Sequence, residues 1–193
     1  MFDYWRITVF RLRALLMLGL LASAGLCAYA ERGLPAREGI TNFGKIDEGV
    51  YRGAQPSALG ITNLARLGIK SIINLRMTRD VWKDEERLAL AHGILYTNLP
   101  LSGTGRPSDD QVRIALEMIQ TLPGPVFIHC QHGCDRTGTI IACYRIQHDK
   151  WSNEAALQEA GRYGMSKLEL GMRNFVLGFG KFSKQKPVAE EAR

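Results

Sequence analysis

The sequence predicts an α/β fold: a central, mostly parallel sheet flanked by helices. Three observations predict it. Short apolar runs of the buried type, Ser71–Leu75, Ile94–Leu99 and Val126–His129, alternate with segments of helical periodicity. The helical segments carry start signals at Ser57, Ser108 and Ser152, and glycine stops such as Gly68 and Gly93. The composition, 46% apolar and 23% charged in 193 residues, is that of one folded domain and excludes a disordered or low-complexity chain. In open α/β sheets the site lies beyond the carboxyl ends of the strands.

Each element follows from local pattern. Residues 31–41 are polar, with Gly33, Pro35 and Gly39, and read as an irregular lead-in to a domain spanning 42–180. Asn42–Ile46 and Val50–Arg52 are short strands around the turn Asp47-Glu48-Gly49. Ala58–Leu67 repeats leucine at helical spacing behind Ser57. Lys83–His92 is a helix closed by Gly93. Ser108 and Gln111 form a capping box for a helix over Asp109–Thr121, with Val112, Ala115, Leu116 and Ile119 inward. Pro123-Gly124-Pro125 breaks it. Thr137–Gln147 is an apolar helix, Ser152 caps another through Ala160, and Leu168–Phe179 is the last. Residues 181–193 are a polar tail, expected to be mobile. Trp82, Trp151 and Tyr163-Gly164-Met165 read as packing or edge elements.

The N-terminus has a different character. Arg6, Arg11 and Arg13 precede an uncharged run of 17 residues, Ala14–Ala30, that ends Ala28-Tyr29-Ala30. A basic start, a short apolar centre and a small-x-small end predict a secretory signal peptide over residues 1–30, and hence a periplasmic or secreted protein. The alternative is an uncleaved membrane anchor through residues 14–30, although a span needs about 20 apolar residues. Leu26 stands where a lipoprotein reading through Cys27 needs a small residue. Residues 31–193 keep 22 basic and 18 acidic side chains, a net +4. That balance is too mild for a nucleic-acid partner but suits a small anionic ligand. They also keep three cysteines, an odd number, so at least one thiol is free even in an oxidising compartment. No paired CxxC or HxxxH spacing is present, and neither a metal nor a cofactor is expected.

The informative stretch is His129-Cys130-Gln131-His132-Gly133-Cys134-Asp135-Arg136-Thr137-Gly138, between a strand and a helix. A loop closing onto a helix N-terminus points backbone N–H groups into one concavity, and the helix dipole makes that concavity attractive to anions. Gln131, His132, Gly133, Cys134 and Asp135 supply those amides. Arg136, six residues after Cys130, can fork onto two phosphate oxygens. The same field favours the thiolate of a cysteine placed there. A thiolate beneath a bound phosphate is placed for in-line attack, giving a phosphocysteine, with Thr137 assisting the sulfur when it leaves. A bare Cys-x5-Arg is a weak signal. The added His, Gly and Thr-Gly make it a specific one.

HCxxGxxRTG resembles the signature of cysteine-based protein tyrosine phosphatases. The segment from about Val50 to Phe179 is similar to bacterial dual-specificity-type members, periplasmic ones included, and to atypical plant and fungal dual-specificity phosphatases, some of which act on inositol pyrophosphates. The resemblance implies that fold, Cys130 as nucleophile, Arg136 as phosphate ligand and Thr137 as helper. It implies hydrolysis of phosphotyrosine, with phosphoserine and phosphothreonine as further substrates. An inositol polyphosphate or pyrophosphate phosphatase is the alternative, as is an inactive phosphate-binding module. The partner is thus a phosphorylated protein or an inositol phosphate. Such enzymes place an acidic residue on a mobile upstream loop, here within Leu99–Asp110, which lacks Trp-Pro-Asp. Asp109 is the first candidate for general acid, with Asp110 and Asp135 as alternatives. Without a clear acid, leaving groups of low pKa are favoured. His129 is expected to orient the loop, Arg76 to add charge at the cleft, Cys134 to lie near enough to Cys130 for a protective disulfide, and Cys143 to be core.

Overall fold

The computed structural model describes Arg37 and residues 39–180. The signal or anchor segment 1–30, most of the lead-in and the tail 181–193 lie outside the described residues. Among the described residues, no helix is long and apolar enough to cross a membrane.

Five strands form one sheet: β1 (Gly44–Lys45), β2 (Val50–Gly53), β3 (Ser71–Asn74), β4 (Leu95–Asn98) and β5 (Val126–His129), in the order β1-β2-β5-β3-β4. Only β1 pairs antiparallel, on β2; the other pairings are parallel. The expected, mostly parallel sheet is therefore present, with β5 at its centre. Parallel strands cannot be joined by tight turns, and their crossovers cover both faces.

The crossovers are α1 (Ala58–Arg66), α2 (Glu85–Ala91) and α3 (Asp109–Thr121); α4 (Asp135–Gln147), α5 (Asn153–Arg162) and α6 (Leu170–Gly178) follow β5. The period-2 alternation of strands divides the core. Ile72 and Phe127 face one side, with Ile61 and Leu64 of α1 and Ala89 of α2. Ile73 and Ile128 face the other, with Val112, Ala115, Leu116 and Ile119 of α3 and Ile140, Ile141 and Cys143 of α4. A third cluster joins Ala142 to Ala156, Leu157 and Ala160 of α5 and Val176 of α6.

Ser57 and Ser152 cap α1 and α5, and the capping box of Ser108 and Gln111 is complete. Two boundaries shift. Ile40 is 1% exposed and sits in the first cluster, so packing begins before residue 42. Helix α4 begins at Asp135 instead of Thr137, which puts Arg136 and Thr137 in its first turn, where N–H groups have no intrahelical acceptor.

Candidate active site

Residues 130–134 connect the central strand to α4, and each of their carbonyls is engaged. The Cys130 carbonyl lies 3.2 Å from His129 Nδ1. The Gln131 carbonyl accepts from the Gln55 N–H at 3.2 Å. The His132 carbonyl accepts from Asn42 Nδ2 at 3.2 Å and from the Cys134 thiol at 3.3 Å. The Gly133 carbonyl accepts from Arg52 Nη2, and the Cys134 carbonyl from the Gly138 N–H at 2.9 Å. In a trans peptide the C=O and the following N–H point opposite ways. Tethering the carbonyls therefore turns the amides of Gln131, His132, Gly133 and Cys134 away from those partners, the arrangement an anion cradle requires. Gly133 has φ +68, and a Cβ there would stand 2.5 Å from the Gly53 backbone, so both dihedral and space demand glycine.

Cys130, Arg136 and Thr137 are 2%, 8% and 0% exposed. Arg136 Nη1 lies 3.5 Å from the carbonyls of Leu75, just past β3, and Leu101, in the segment before α3. These bonds are long and weak, so the guanidinium is held in place with most of its donors uncommitted. The buried Thr137 hydroxyl has no hydrogen-bond partner among the described residues. That hydroxyl is left with its donor uncommitted, as the expected role of helper to a leaving sulfur requires. Gln131 and His132 are exposed at the rim. Arg76 reaches the same edge: its Nη1 donates to Gln55 at 3.1 Å, and Gln55 in turn holds the loop at Gln131.

His129 has the orienting role expected of it. It is fully buried, stacks on Phe127 at 5.6 Å between ring centroids, and faces Glu85 with Nε2 2.8 Å from Oε1. Glu85 also accepts from Asn74 Nδ2 at 2.8 Å. Burial pushes the Glu85 carboxyl up, but the His129 imidazole together with Gln55 and Asn74 outweighs it and holds the group below its ordinary value. The pair fixes the imidazole behind the Cys130 peptide.

Each of the three candidate acids is engaged by a partner other than Cys130. Asp109 is exposed in the first turn of α3 and forks with Arg106 at 3.0 and 3.1 Å. It lines a cavity of about 790 Å³ with Ile146, Gln147, Lys150 and Phe179, at the far end of α4. That helix has 13 residues, so about 20 Å of axis lies between that end and the loop. Asp110 is exposed and pairs with Arg113 at 3.4 Å. Both stabilise the N-terminus of α3. Asp135 accepts the Ser166 N–H at 2.8 Å, which ties the α5–α6 connection to the loop. The geometry thus places Asp109 and Asp110 against the helix dipole in the first turn of α3, behind the Ser108 cap, and gives Asp135 a bracing contact.

Among the described residues, Cys130, Cys134 and Cys143 form no disulfide. Cys143 is core, and burial raises its thiol well above the ordinary range. Among the described residues no cluster of His, Cys, Asp or Glu is placed to hold a metal ion. Sequence reasoning missed Asn42, Arg52 and Glu85, which reach the loop from elements distant in the chain. Only Arg52 left a trace, as a charge inside a buried-type strand.

The family model described as "PTP-NADK: DSP-PTPase phosphatase fused to NAD+ Kinase" matches residues 36–177. Dual specificity protein phosphatase TpbA of Pseudomonas aeruginosa (strain UCBPP-PA14) is 33% identical over 126 residues, which cover 64% of this chain and 55% of that protein. Inositol diphosphatase DSP1 of Oryza sativa subsp. japonica is 28% identical over 140 residues, 70% of this chain and 62% of that protein. The crystal structure of P. aeruginosa TpbA in complex with pTyr matches with a TM-score of 0.64 at 27% identity, covering 78% of this chain and 91% of that one. The chain spans about half the length of the TpbA relatives. The loop that closes β5 onto α4 lies inside the matched segment, and the chain belongs to the DSP-PTPase phosphatase family.

Proposed function

We propose that this chain is a metal-independent, cysteine-dependent phosphatase that hydrolyses phosphotyrosine, with phosphoserine and phosphothreonine as further substrates. The observation that carries the reading is the cradle: every carbonyl from Cys130 to Cys134 is engaged, and Cys130, Arg136 and Thr137 are all buried at that loop, the Thr137 hydroxyl with no partner among the described residues. A phosphate held by the amides and by Arg136 presents phosphorus to Cys130. The sulfur forms the P–S bond as the P–O bond to the alcohol or phenol breaks. Water then attacks phosphorus, the P–S bond breaks, and Thr137 donates to the leaving sulfur. With Asp109, Asp110 and Asp135 each engaged by another partner, a phenol leaves more readily than an alkoxide, which puts phosphotyrosine first. The TpbA structure with pTyr supports the same choice.

A second reading, hydrolysis of inositol pyrophosphates, rests on the relative named inositol diphosphatase and on the good leaving group of a pyrophosphate. Against it, the loop itself adds only Arg136 as a fixed cation and carries Asp135. Export to the periplasm or beyond, by a cleaved signal peptide or an anchor over residues 14–30, is part of the same proposal and is supported by the basic-apolar-small pattern of residues 1–30.

The test is phosphate release by the purified full chain and its Cys130→Ser variant. The panel holds phosphotyrosine, phosphoserine and phosphothreonine peptides, inositol hexakisphosphate and an inositol pyrophosphate. Turnover mainly of phosphotyrosine, absent in the variant, is expected. Turnover mainly of the inositol compounds supports the second reading. Phosphate binding without turnover of any substrate refutes both and leaves a binding module.

A further inference from the structure

Between α5 and α6 runs a groove of about 630 Å³. Asn153, at the start of α5, donates to the Val176 and Phe179 carbonyls at the end of α6, at 2.7 and 2.9 Å, so the two helices run antiparallel. The floor of the groove is Leu157, Met165 and Leu177, in the third core cluster or packed on it. Three cations gather at its connected end: Arg162 closing α5, Lys167 in the connection and Arg173 on α6. None of their side chains makes a hydrogen bond or an ion pair among the described residues. The acid lining the groove is Glu154, in the first turn of α5, where it answers the dipole of that helix. Gly161 lines the same groove, and a Cβ added there would meet nothing within 4 Å. A helical glycine is destabilising relative to alanine, and neither a positive φ nor a close neighbour requires this one. It keeps the groove open beside Arg162.

The cationic end of the groove borders the loop of residues 130–134. The Ser166 N–H donates to Asp135 at 2.8 Å, and a Cβ at Gly138 would stand 3.2 Å from the Met165 ε-carbon. Met165 and Lys167 therefore flank a residue tied to the first turn of α4, the turn that carries Arg136. Next to Lys167, Leu168 is 87% exposed, and Leu170, opening α6, is 63% exposed. A small anion gains nothing from an apolar floor and bare leucines, whereas a peptide with acids around an apolar side chain uses all of them. From Glu154 to Arg162 the axis of α5 advances about 12 Å, room for about four extended residues.

We propose that this groove docks an acidic segment of the phosphoprotein substrate, with an apolar side chain on Leu157, Met165 and Leu177 and carboxylates on Arg162, Lys167 and Arg173. Charge selects the partner: three uncommitted cations at one end and an acid at the other reject a basic segment and turn the acids of an acidic one toward the loop. Docking raises the local concentration of the substrate phosphate at Cys130 and leaves the reaction itself as it is. The inference rests on the phosphatase reading, since the docked segment and the phosphotyrosine sit on one polypeptide.

The experiment uses the full chain and two readouts. Fluorescence anisotropy follows a labelled, unphosphorylated hexapeptide of aspartate and glutamate around a central leucine, with lysine in place of the acids as control. Phosphate release compares a phosphotyrosine peptide alone with the same peptide joined to the acidic hexapeptide by a Gly-Ser linker of about ten residues, which spans roughly 17 Å. The acidic hexapeptide is expected to bind about tenfold more tightly than the lysine one, and the link to raise kcat/KM about tenfold. Gly161→Leu fills the groove on a helix that favours leucine over glycine, and Arg173→Glu reverses one charge. Each is expected to weaken the acidic hexapeptide about tenfold and to bring the kcat/KM ratio of the two substrates to about one, with circular dichroism reporting the fold. Folded variants that bind like the parent overturn the proposal, as does equal binding of the acidic and lysine hexapeptides. Glu190→Gln with Glu191→Gln tests the chain's own acidic pair. Binding tightened about tenfold in that variant assigns the groove to the tail and overturns the substrate assignment. A parent that binds the acidic hexapeptide, sensitive to Gly161→Leu and Arg173→Glu, yet hydrolyses neither substrate overturns the proposed function instead and leaves the groove's preference for acidic peptides standing.

Discussion

Replacing Gly133 by alanine should disable the cradle without unfolding the domain. A Cβ at residue 133 would stand 2.5 Å from the carbonyl carbon and oxygen of Gly53 and 2.7 Å from the Ala54 nitrogen. All three are backbone atoms, and Gly53 is locked into β2 beside His129 of β5. The loop must give way, and reaching an ordinary contact of 3.4 Å from 2.5 Å takes a shift of about 0.9 Å. The left-handed φ of +68 adds about 1–2 kcal/mol for a residue with a side chain. Overpacking adds about 1–3 kcal/mol more. The total, about 2–5 kcal/mol, is below the ~5–15 kcal/mol that holds a typical domain together. A displacement near 1 Å in a positioning element costs about a hundredfold in rate. Thermal unfolding and para-nitrophenyl phosphate kinetics on the same preparation test both halves. A cooperative transition lowered by roughly 5–15 °C, with kcat/KM reduced about a hundredfold, is expected. A folded Gly133→Ala protein with activity within about threefold of the parent would refute the argument that the carbonyl tethers define the cradle.

Two further perturbations separate the candidate acids and the buried pair. Asp109→Asn and Asp110→Asn should each change kcat less than about threefold, because each carboxylate is exposed and held by an arginine in an ion pair worth about 0–1 kcal/mol; a loss of a hundredfold or more, the scale of a missing general acid, would restore Asp109 or Asp110 to that role. Glu85 is held below its ordinary 4.5 in the folded state, so its contribution is fully present above about pH 4.5 and is lost as pH falls through the lower folded value. Glu85→Gln should therefore lower Tm by roughly 10 °C at pH 6–7, from about 3 kcal/mol for breaking a buried pair, and the gap to the parent should close in more acidic buffer. A gap that does not depend on pH would refute an ionised Glu85 carboxylate held by its buried partners.

The strands and helices were legible because their signals are local. The period-2 run Ile72-Ile73 and Phe127-Ile128 carries one residue for each face of the sheet, and Ser57, Ser108 and Ser152 cap the helices they announced. The loop from His129 to Gly138 was equally legible, because an anion cradle between strand and helix is written in consecutive residues. The acid was not. Asp109 sits at a plausible distance along the chain, and only the packing of α3 against the far end of α4 takes it away from Cys130.

By itself the sequence determined the order of elements, the parallel sheet, and the nucleophile, phosphate ligand and amides that lie within ten consecutive residues. The tertiary structure alone decided what stands behind them. Asn42 comes from the turn before β1, Arg52 from β2 and Glu85 from α2, and they reach the loop from 92 (Asn42 to Cys134), 81 (Arg52 to Gly133) and 44 (Glu85 to His129) residues away. No periodicity or spacing links residues so far apart in the chain. What joins them is a loop whose carbonyls must each find a donor when the sheet closes, and that requirement exists only once the chain has folded.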